Sequence, residues 1–174
     1  MLELKGKTIA VFIESMYNEH EYWYPKIRLE EAGATVITVG TEAKTEYRSK
    51  VGFAANSDVA FGDLKAEGLD GIIIPGGFAP DFMRRSADCL KLVREVFEQG
   101  KLVAFICHAG WVPVSAGILK GKKATCFFAI KDDLINAGAT WEDAAVVQDG
   151  NLISSRIPAD LPDFMRAIIA FLRK

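Results

Sequence analysis

KLVAFICHAGWVPVSAG, running from Lys101 to Gly117, decides how the rest of the chain is read. Leu102–Ile106 is apolar throughout, the pattern of a central strand covered on both faces. Cys107 follows at once, then His108, Ala109 and Gly110, then residues at helical spacing. Strand, tight turn and helix in that order lift one side chain out of the backbone above a sheet. That side chain stands at a helix N-terminus, where backbone N–H groups and the dipole favour a thiolate over a thiol. Cys107 is therefore the first candidate nucleophile, set against the alternative of a buried structural thiol.

Outward from this stretch, strand and helix alternate. Lys7–Ile13, Ala34–Val39 and Asp70–Ile74 predict strands, the last running into Pro75-Gly76-Gly77. Glu19–Ala32 has helical spacing and a natural stop at Gly33. Pro25 fits only a first turn, which puts the helix start near Trp23 or Tyr24. Between Gly40 and Gly68, Val51–Phe53 and Val59–Phe61 suggest a small hairpin. Asp81–Ser86 and Asp88–Gln99 predict helices, with Gly100 closing the second. Lys123–Phe128 predicts a fifth parallel strand and Ile130–Ala137 a short helix. Ala144–Gln148 and Leu152–Ser155 flank Asp149-Gly150-Asn151 as a hairpin, and Pro158–Arg173 is a terminal helix. The expected fold is one α/β domain over residues 1–174: a doubly wound, mostly parallel sheet between helices, with a C-terminal antiparallel hairpin. Ligands bind beyond the carboxyl ends of such strands, an edge that gathers Ser15–Glu21, Gly76–Asp81 and Cys107–Gly110.

Composition removes several classes of function. The chain has 174 residues, half of them hydrophobic, and a net charge of -2, with no basic cluster to meet nucleic acid. The apolar run near the N-terminus is too short for a signal segment or a membrane span, so a soluble cytoplasmic protein is expected. The three cysteines, Cys89, Cys107 and Cys126, form no C-x-x-C pair, and with only two histidines neither a disulfide framework nor a metal centre is expected. No dinucleotide fingerprint or phosphate loop occurs, and no cofactor is inferred.

At the expected site edge, Gly76 and Gly77 let the backbone approach a ligand closely. The N–H groups of Gly77 and His108 could form an oxyanion hole facing Cys107. Three carboxyls, Glu14, Glu19 and Glu21, lie near the end of the first strand, and Glu21 is the best placed to turn back over the sheet. Buried beside a thiolate, it should hold its proton, donate to sulfur and exchange protons with a substrate. His108 within reach of the sulfur could act as a base if a third group orients it. His20 reads as a surface residue and Cys89 and Cys126 as packing. Trp111 and Trp141 read as core or interface, and Phe78, Phe127 and Phe128 as the border of a pocket.

The combination of EYWYP (Glu21–Pro25), IIIPGGFAP (Ile72–Pro80) and AFICH (Ala104–His108) resembles the ThiJ/PfpI superfamily. SAGILKG (Ser115–Gly121), IKDDLINAGA (Ile130–Ala139) and DGNLISSRIPADLP (Asp149–Pro162) resemble its PfpI-type intracellular protease branch. The resemblance implies a flavodoxin-like domain, akin to class I glutamine amidotransferases, that assembles as homodimers or, in some members, hexamers. It implies a reactive Cys107 with a protonated Glu21 beside it, and cofactor-free activity as a cysteine peptidase, a glyoxalase or a deglycase of glycated proteins and nucleotides. In the peptidase case His108 is the base, oriented by an acid from a neighbouring subunit at the position of Asp81. Small carbonyl, glycated or peptide substrates follow, with a redox sensor or stress chaperone using oxidation of Cys107 as the alternative. Two features depart from the family pattern. The usual C-H-G-P is Cys107-His108-Ala109-Gly110 here, with Pro113 further into the helix, and Asp81 is one methylene shorter than the usual glutamate.

Overall fold

Runs of aliphatic and β-branched residues build the central sheet, described for residues 2–174 in a computed structural model. In chain order the strands are β1 (Thr8–Phe12), β2 (Thr35–Gly40), β3 (Glu46–Arg48), β4 (Ala54–Asn56), β5 (Val59–Ala60), β6 (Gly71–Ile74), β7 (Leu102–Ile106), β8 (Lys123–Ala124), β9 (Thr140–Trp141), β10 (Val146–Asp149) and β11 (Leu152–Ser155). The helices are α1 (Glu19–Glu31), α2 (Ala79–Met83), α3 (Ala87–Glu98), α4 (Trp111–Ala116), α5 (Lys131–Asn136) and α6 (Leu161–Leu172). Seven strands form the main sheet in the order β10-β11-β7-β6-β1-β2-β5, parallel except for the β10–β11 hairpin. Every residue of β6 and β7 is buried, as strands covered on both faces must be.

From β1 the chain moves to β2 on one side and then to β6 on the other. This reversal sends the two crossover helices, α1 and α3, to opposite faces, because parallel crossovers are right-handed. On the faces so formed, α1 packs against α6, and α3 against α4. The carboxyl ends of β1 and β6 are left uncovered between them, which is where a doubly wound sheet opens its crevice. Ile74 pairs with Phe105, so the loops after β6 and β7 leave the sheet side by side.

Three local expectations differ from the structure. Pro25 lies in the middle of α1, which starts at Glu19. Asn18 caps that start, its Oδ1 accepting from the N–H groups of His20 (3.1 Å) and Glu21 (3.3 Å). The cap and the buried Tyr22, Pro25 and Leu29 outweigh the one helical bond that proline removes. The small hairpin pairs β3 with β4, whereas Val59–Ala60 leaves it to extend the main sheet beside β2. Asp58 directs that exit: its N–H donates to Thr38 O at 2.7 Å, and its Oδ2 accepts from Thr38 N at 2.8 Å. Only Lys123–Ala124 of the proposed fifth strand is extended, and it pairs with β9 outside the main sheet. The position beside β7 belongs to β11, and the chain after β8 crosses over the elbow, with Phe127 N donating to Cys107 O at 3.2 Å.

Among the described residues no helix is long and apolar enough to cross a membrane. The β6–β7 contact is the tightest register point under the site. A Cβ on Gly71 would stand 2.6 Å from Leu102 Cβ and 3.1 Å from Leu102 O. Gly71→Ala is expected to lower stability by about 1–3 kcal/mol, the range for overpacking, seen as a fall in the urea midpoint at an unchanged m value.

Candidate active site

The loops that follow β1, β6 and β7 meet at one point. Tyr17 bridges to Gly77 in antiparallel fashion, with Phe78 N donating to Met16 O (2.9 Å) and Asn18 N to Gly76 O (3.2 Å). Backbone strain concentrates here. Three non-glycine residues have positive φ, and two of them, Met16 (60°) and Cys107 (62°), belong to these loops. Cys107 sits directly after β7 and opens a 3-10 turn, Cys107–Gly110, that continues into α4. Pro113 is the third residue of α4, where no helical bond is lost to it.

Of the three carboxyls, only Glu21 reaches the cysteine. Glu14 is turned to its own neighbourhood, accepting from Ser15 N (2.8 Å) and Thr41 Oγ1 (2.6 Å). Glu19 lies beside the exposed His20, 3.7 Å from its Nδ1. Glu21 is fully buried on the inner side of α1, and its Oε2 accepts from Gly76 N at 2.7 Å. Its Oε1 is buried with no nitrogen or oxygen partner, and the side chain facing the carboxyl is Cys107. Glycine is required at 76 for this approach, since a Cβ there would stand 2.7 Å from Glu21 Oε2 and 2.9 Å from Cys107 Cβ. The N–H of Gly76 is thus engaged by Glu21.

Burial raises the Glu21 carboxyl to about 7, opposed by the bond from Gly76, the contact with Cys107 and the charge of Lys50. Burial also raises the Cys107 thiol to about 12, assisted by the Glu21 charge and opposed by the polarity of the nearby backbone N–H groups of His108 and Gly77. The position at a helix N-terminus predicted a lowered thiol, and desolvation at 8% exposure reverses that. Part of the rise at the cysteine comes from a Glu21 anion and vanishes when Glu21 keeps its proton. The two groups therefore titrate as a pair.

His108 places Nδ1 3.3 Å from Cys107 Sγ. Burial and Lys50 lower its pKa, so the ring is neutral at physiological pH. Asp81 is elsewhere engaged: its carboxylate pairs with Arg85, one turn along, and no hydrogen bond or ion pair joins it to His108 within the chain. Cys89 and Cys126 are buried, while Phe78 and Phe128 are exposed. Two residues that shape the site escaped the sequence reading. Asn18 carried the signal of a capping residue before Glu19-His20-Glu21. Lys50 carried none; it is brought in by its N–H, which donates to Tyr17 O at 3.1 Å. No group of metal-binding side chains occurs among the described residues.

The DJ-1/PfpI family profile matches residues 7–171. Over 157 residues the chain is 41% identical to Deglycase PH1704 of Pyrococcus horikoshii, covering 90% of this chain and 94% of that protein. It is also similar to a two-domain protein of Anabaena variabilis with DJ-1/ThiJ/PfpI-like and ferritin-like domains (TM-score 0.94, 41% identity). That match covers 95% of this chain but 48% of the two-domain protein, so this chain spans about half its length. The Drosophila melanogaster DJ-1beta structure has a TM-score of 0.90 at 27% identity, covering 96% of this chain and 90% of that one.

A buried acid with a raised pKa binds its proton more tightly when folded, so stability falls as pH rises from about 4.5 and levels off above about 7. The fall should be about 3 kcal/mol in unfolding free energy. Glu21→Gln keeps an oxygen for Gly76 N–H and has no proton to lose, so urea titrations of the variant over this window should lack the Glu21 slope.

Proposed function

The chain belongs to the DJ-1/PfpI family, and we propose that it is a cofactor-independent cysteine enzyme acting on carbonyl carbon, a deglycase or glyoxalase in preference to a peptidase. The observation that carries this conclusion is the Glu21 carboxyl facing Cys107 above the carboxyl ends of β1, β6 and β7. In the proposed chemistry the thiol proton passes to the ionised Glu21 carboxylate or to His108 Nδ1, and sulfur bonds to the aldehyde carbon. The carbonyl electron pair moves onto oxygen, which the N–H groups of Gly77 and His108 would receive. From a 2-oxoaldehyde this gives a hemithioacetal. Removal of its C–H proton and reprotonation at the neighbouring carbon give a thioester, which water hydrolyses to a hydroxy acid and free thiol. A carboxyl with a pKa near 7 can both give and take these protons. On a glycated amine, a carbinolamine, sulfur displaces the amine at the same carbon; the C–N bond breaks, the amine leaves with a proton from Glu21, and the same hemithioacetal results.

One observation favours a small carbonyl substrate over a peptide: the sulfur side chain is almost wholly buried. The burial and the raised thiol also count against a sensor role, which asks for an exposed thiolate. We further propose a homo-oligomer formed through the apolar face of α1 and the β3–β4 hairpin, where Ile27 is 57%, Val51 73% and Phe53 58% exposed. Equilibrium sedimentation should show a dimer or larger species that Ile27→Asp dissociates; a parent chain that stays monomeric contradicts this assembly.

Cys107→Ser should lose turnover of methylglyoxal and of methylglyoxal-treated amino acids by roughly 10³-fold or more, measured as lactate formed and amine released. A variant with full turnover would sink the cysteine mechanism. A parent that gains two oxygens on Cys107 in mild peroxide, yet turns over none of these substrates, would favour the sensor.

A further inference from the structure

His108 has no acid behind it in its own chain, yet its ring is held on two sides. Phe127 stacks on one face, with centroids 4.9 Å apart and planes at 27°. Trp111 meets the ring edge-on at 5.3 Å and 68°. A flip of the imidazole would exchange Nδ1 for carbon opposite the sulfur, and rings in such contact oppose the flip. Both holding rings are themselves anchored. Trp111 Nε1 donates to Asp133 Oδ2 at 3.0 Å, and the Arg84 guanidinium lies 5.6 Å from the indole centroid. Phe127 is tied to the elbow by its N–H bond to Cys107 O. Gly110 lets α5 bring Asp133 this close, because a Cβ there would stand 2.9 Å from Leu134 Cδ1 and 3.2 Å from Ile130 Cδ1.

We propose that Phe127, and Trp111 acting through its hydrogen bond to Asp133, are positioning residues that hold the His108 ring with Nδ1 on Cys107 Sγ, the task an acid performs for the histidine of a triad. The inference rests on the cysteine chemistry proposed above and concerns the orientation of one ring. A histidine held by neutral rings stays a neutral base, whereas an acid at Nε2 would favour the imidazolium. The ionisable groups around it are Cys107 with Glu21 behind it and the Lys50 ammonium; Arg84 and Asp133 reach it only through the indole. The tautomer assigned is the one with its proton on Nε2, leaving the Nδ1 lone pair for the thiol proton.

The test uses the full chain and two readouts that need no turnover: the rate of Cys107 alkylation by iodoacetamide, with buried Cys89 and Cys126 as internal controls, and the ¹⁵N shifts of the His108 ring. Asp133→Ala and Trp111→Phe should each slow alkylation roughly tenfold, the scale of a small misplacement in a reacting pair, and shift the ring toward mixed tautomers. Asp133→Asn keeps an oxygen for the indole N–H and should stay within about twofold of the parent. Asp133 is exposed, so its two substitutions leave folding intact, and thermal unfolding checks this for them and for the half-buried Trp111→Phe. Parent-like alkylation and ¹⁵N shifts in both Asp133→Ala and Trp111→Phe overturn the proposal, as does Asp133→Asn falling as far as Asp133→Ala. A parent chain with no turnover would sink the enzymatic function and leave this test readable.

Discussion

Two loops far apart in sequence are pressed together at Gly76 and Gly77, and the site exists because neither residue has a side chain. A Cβ on Gly77 would stand 2.6 Å from both Asn18 N and Met16 O, and its φ of 78° disfavours any other residue. With the loops in contact, three successive N–H groups acquire three different partners. That of Gly76 holds the Glu21 carboxyl, that of Gly77 lies near enough to Cys107 to favour a charge on its sulfur, and that of Phe78 closes the bridge to Met16. Cys107, Glu21 and the loop between them are thus located by one short piece of backbone. Positive φ at Met16 and Cys107 is the conformational cost of that arrangement, and the fully buried strands beneath it hold the strain in place.

The electrostatics follow from the same geometry. Desolvation acts on Glu21, Cys107 and His108 alike, and in each case it favours the neutral form. A site with three neutral groups would be inert. In the proposed chemistry the Glu21–Cys107 pair has given up one of its two protons and holds the other, so that with the proton on Glu21 the sulfur bears the charge. The singly protonated pair carries one buried charge and never two, which is far less costly than ionising both groups. Lys50 lowers the pKa of both Glu21 and His108, so one cation promotes the anionic acid and the neutral base together.

The sheet and the turn that carries Cys107 were legible in the sequence because each has a local cause. Leu102–Ile106 can only be a doubly covered strand, and the residue after it must turn. Glu21 was legible once a carboxyl near the end of β1 was required, though its distinction from Glu14 and Glu19 depends on which way each side chain leaves the backbone. The start of α1 was misplaced because a local rule for Pro25 ignored the Asn18 cap and the buried Leu29. Lys123–Phe128 reads as a strand by composition, yet the place it would take beside β7 is filled by β11. That competition between distant segments has no local signature. Nor has the approach of Lys50, which depends on how the β3–β4 hairpin is seated against Tyr17.

The departure at Ala109 and Gly110 gains a physical meaning when the elbow is considered together with α5. Ala109 is fully buried, and Gly110 meets the tips of Leu134 and Ile130 where a larger residue would push them away. Helix α5 therefore lies directly against the turn that carries Cys107, and its first-turn Asp133 meets Trp111. The aromatic residues that read as core or pocket border divide accordingly. Trp111 and Phe127 face His108, whereas Phe128 turns outward under Lys131, whose ammonium lies 4.6 Å from the ring centroid. A small residue in the elbow, an acid on the next helix and an indole between them form one connected feature. It relates the position of α5 to the orientation of a ring beside the nucleophile, without any contact between α5 and the sulfur itself.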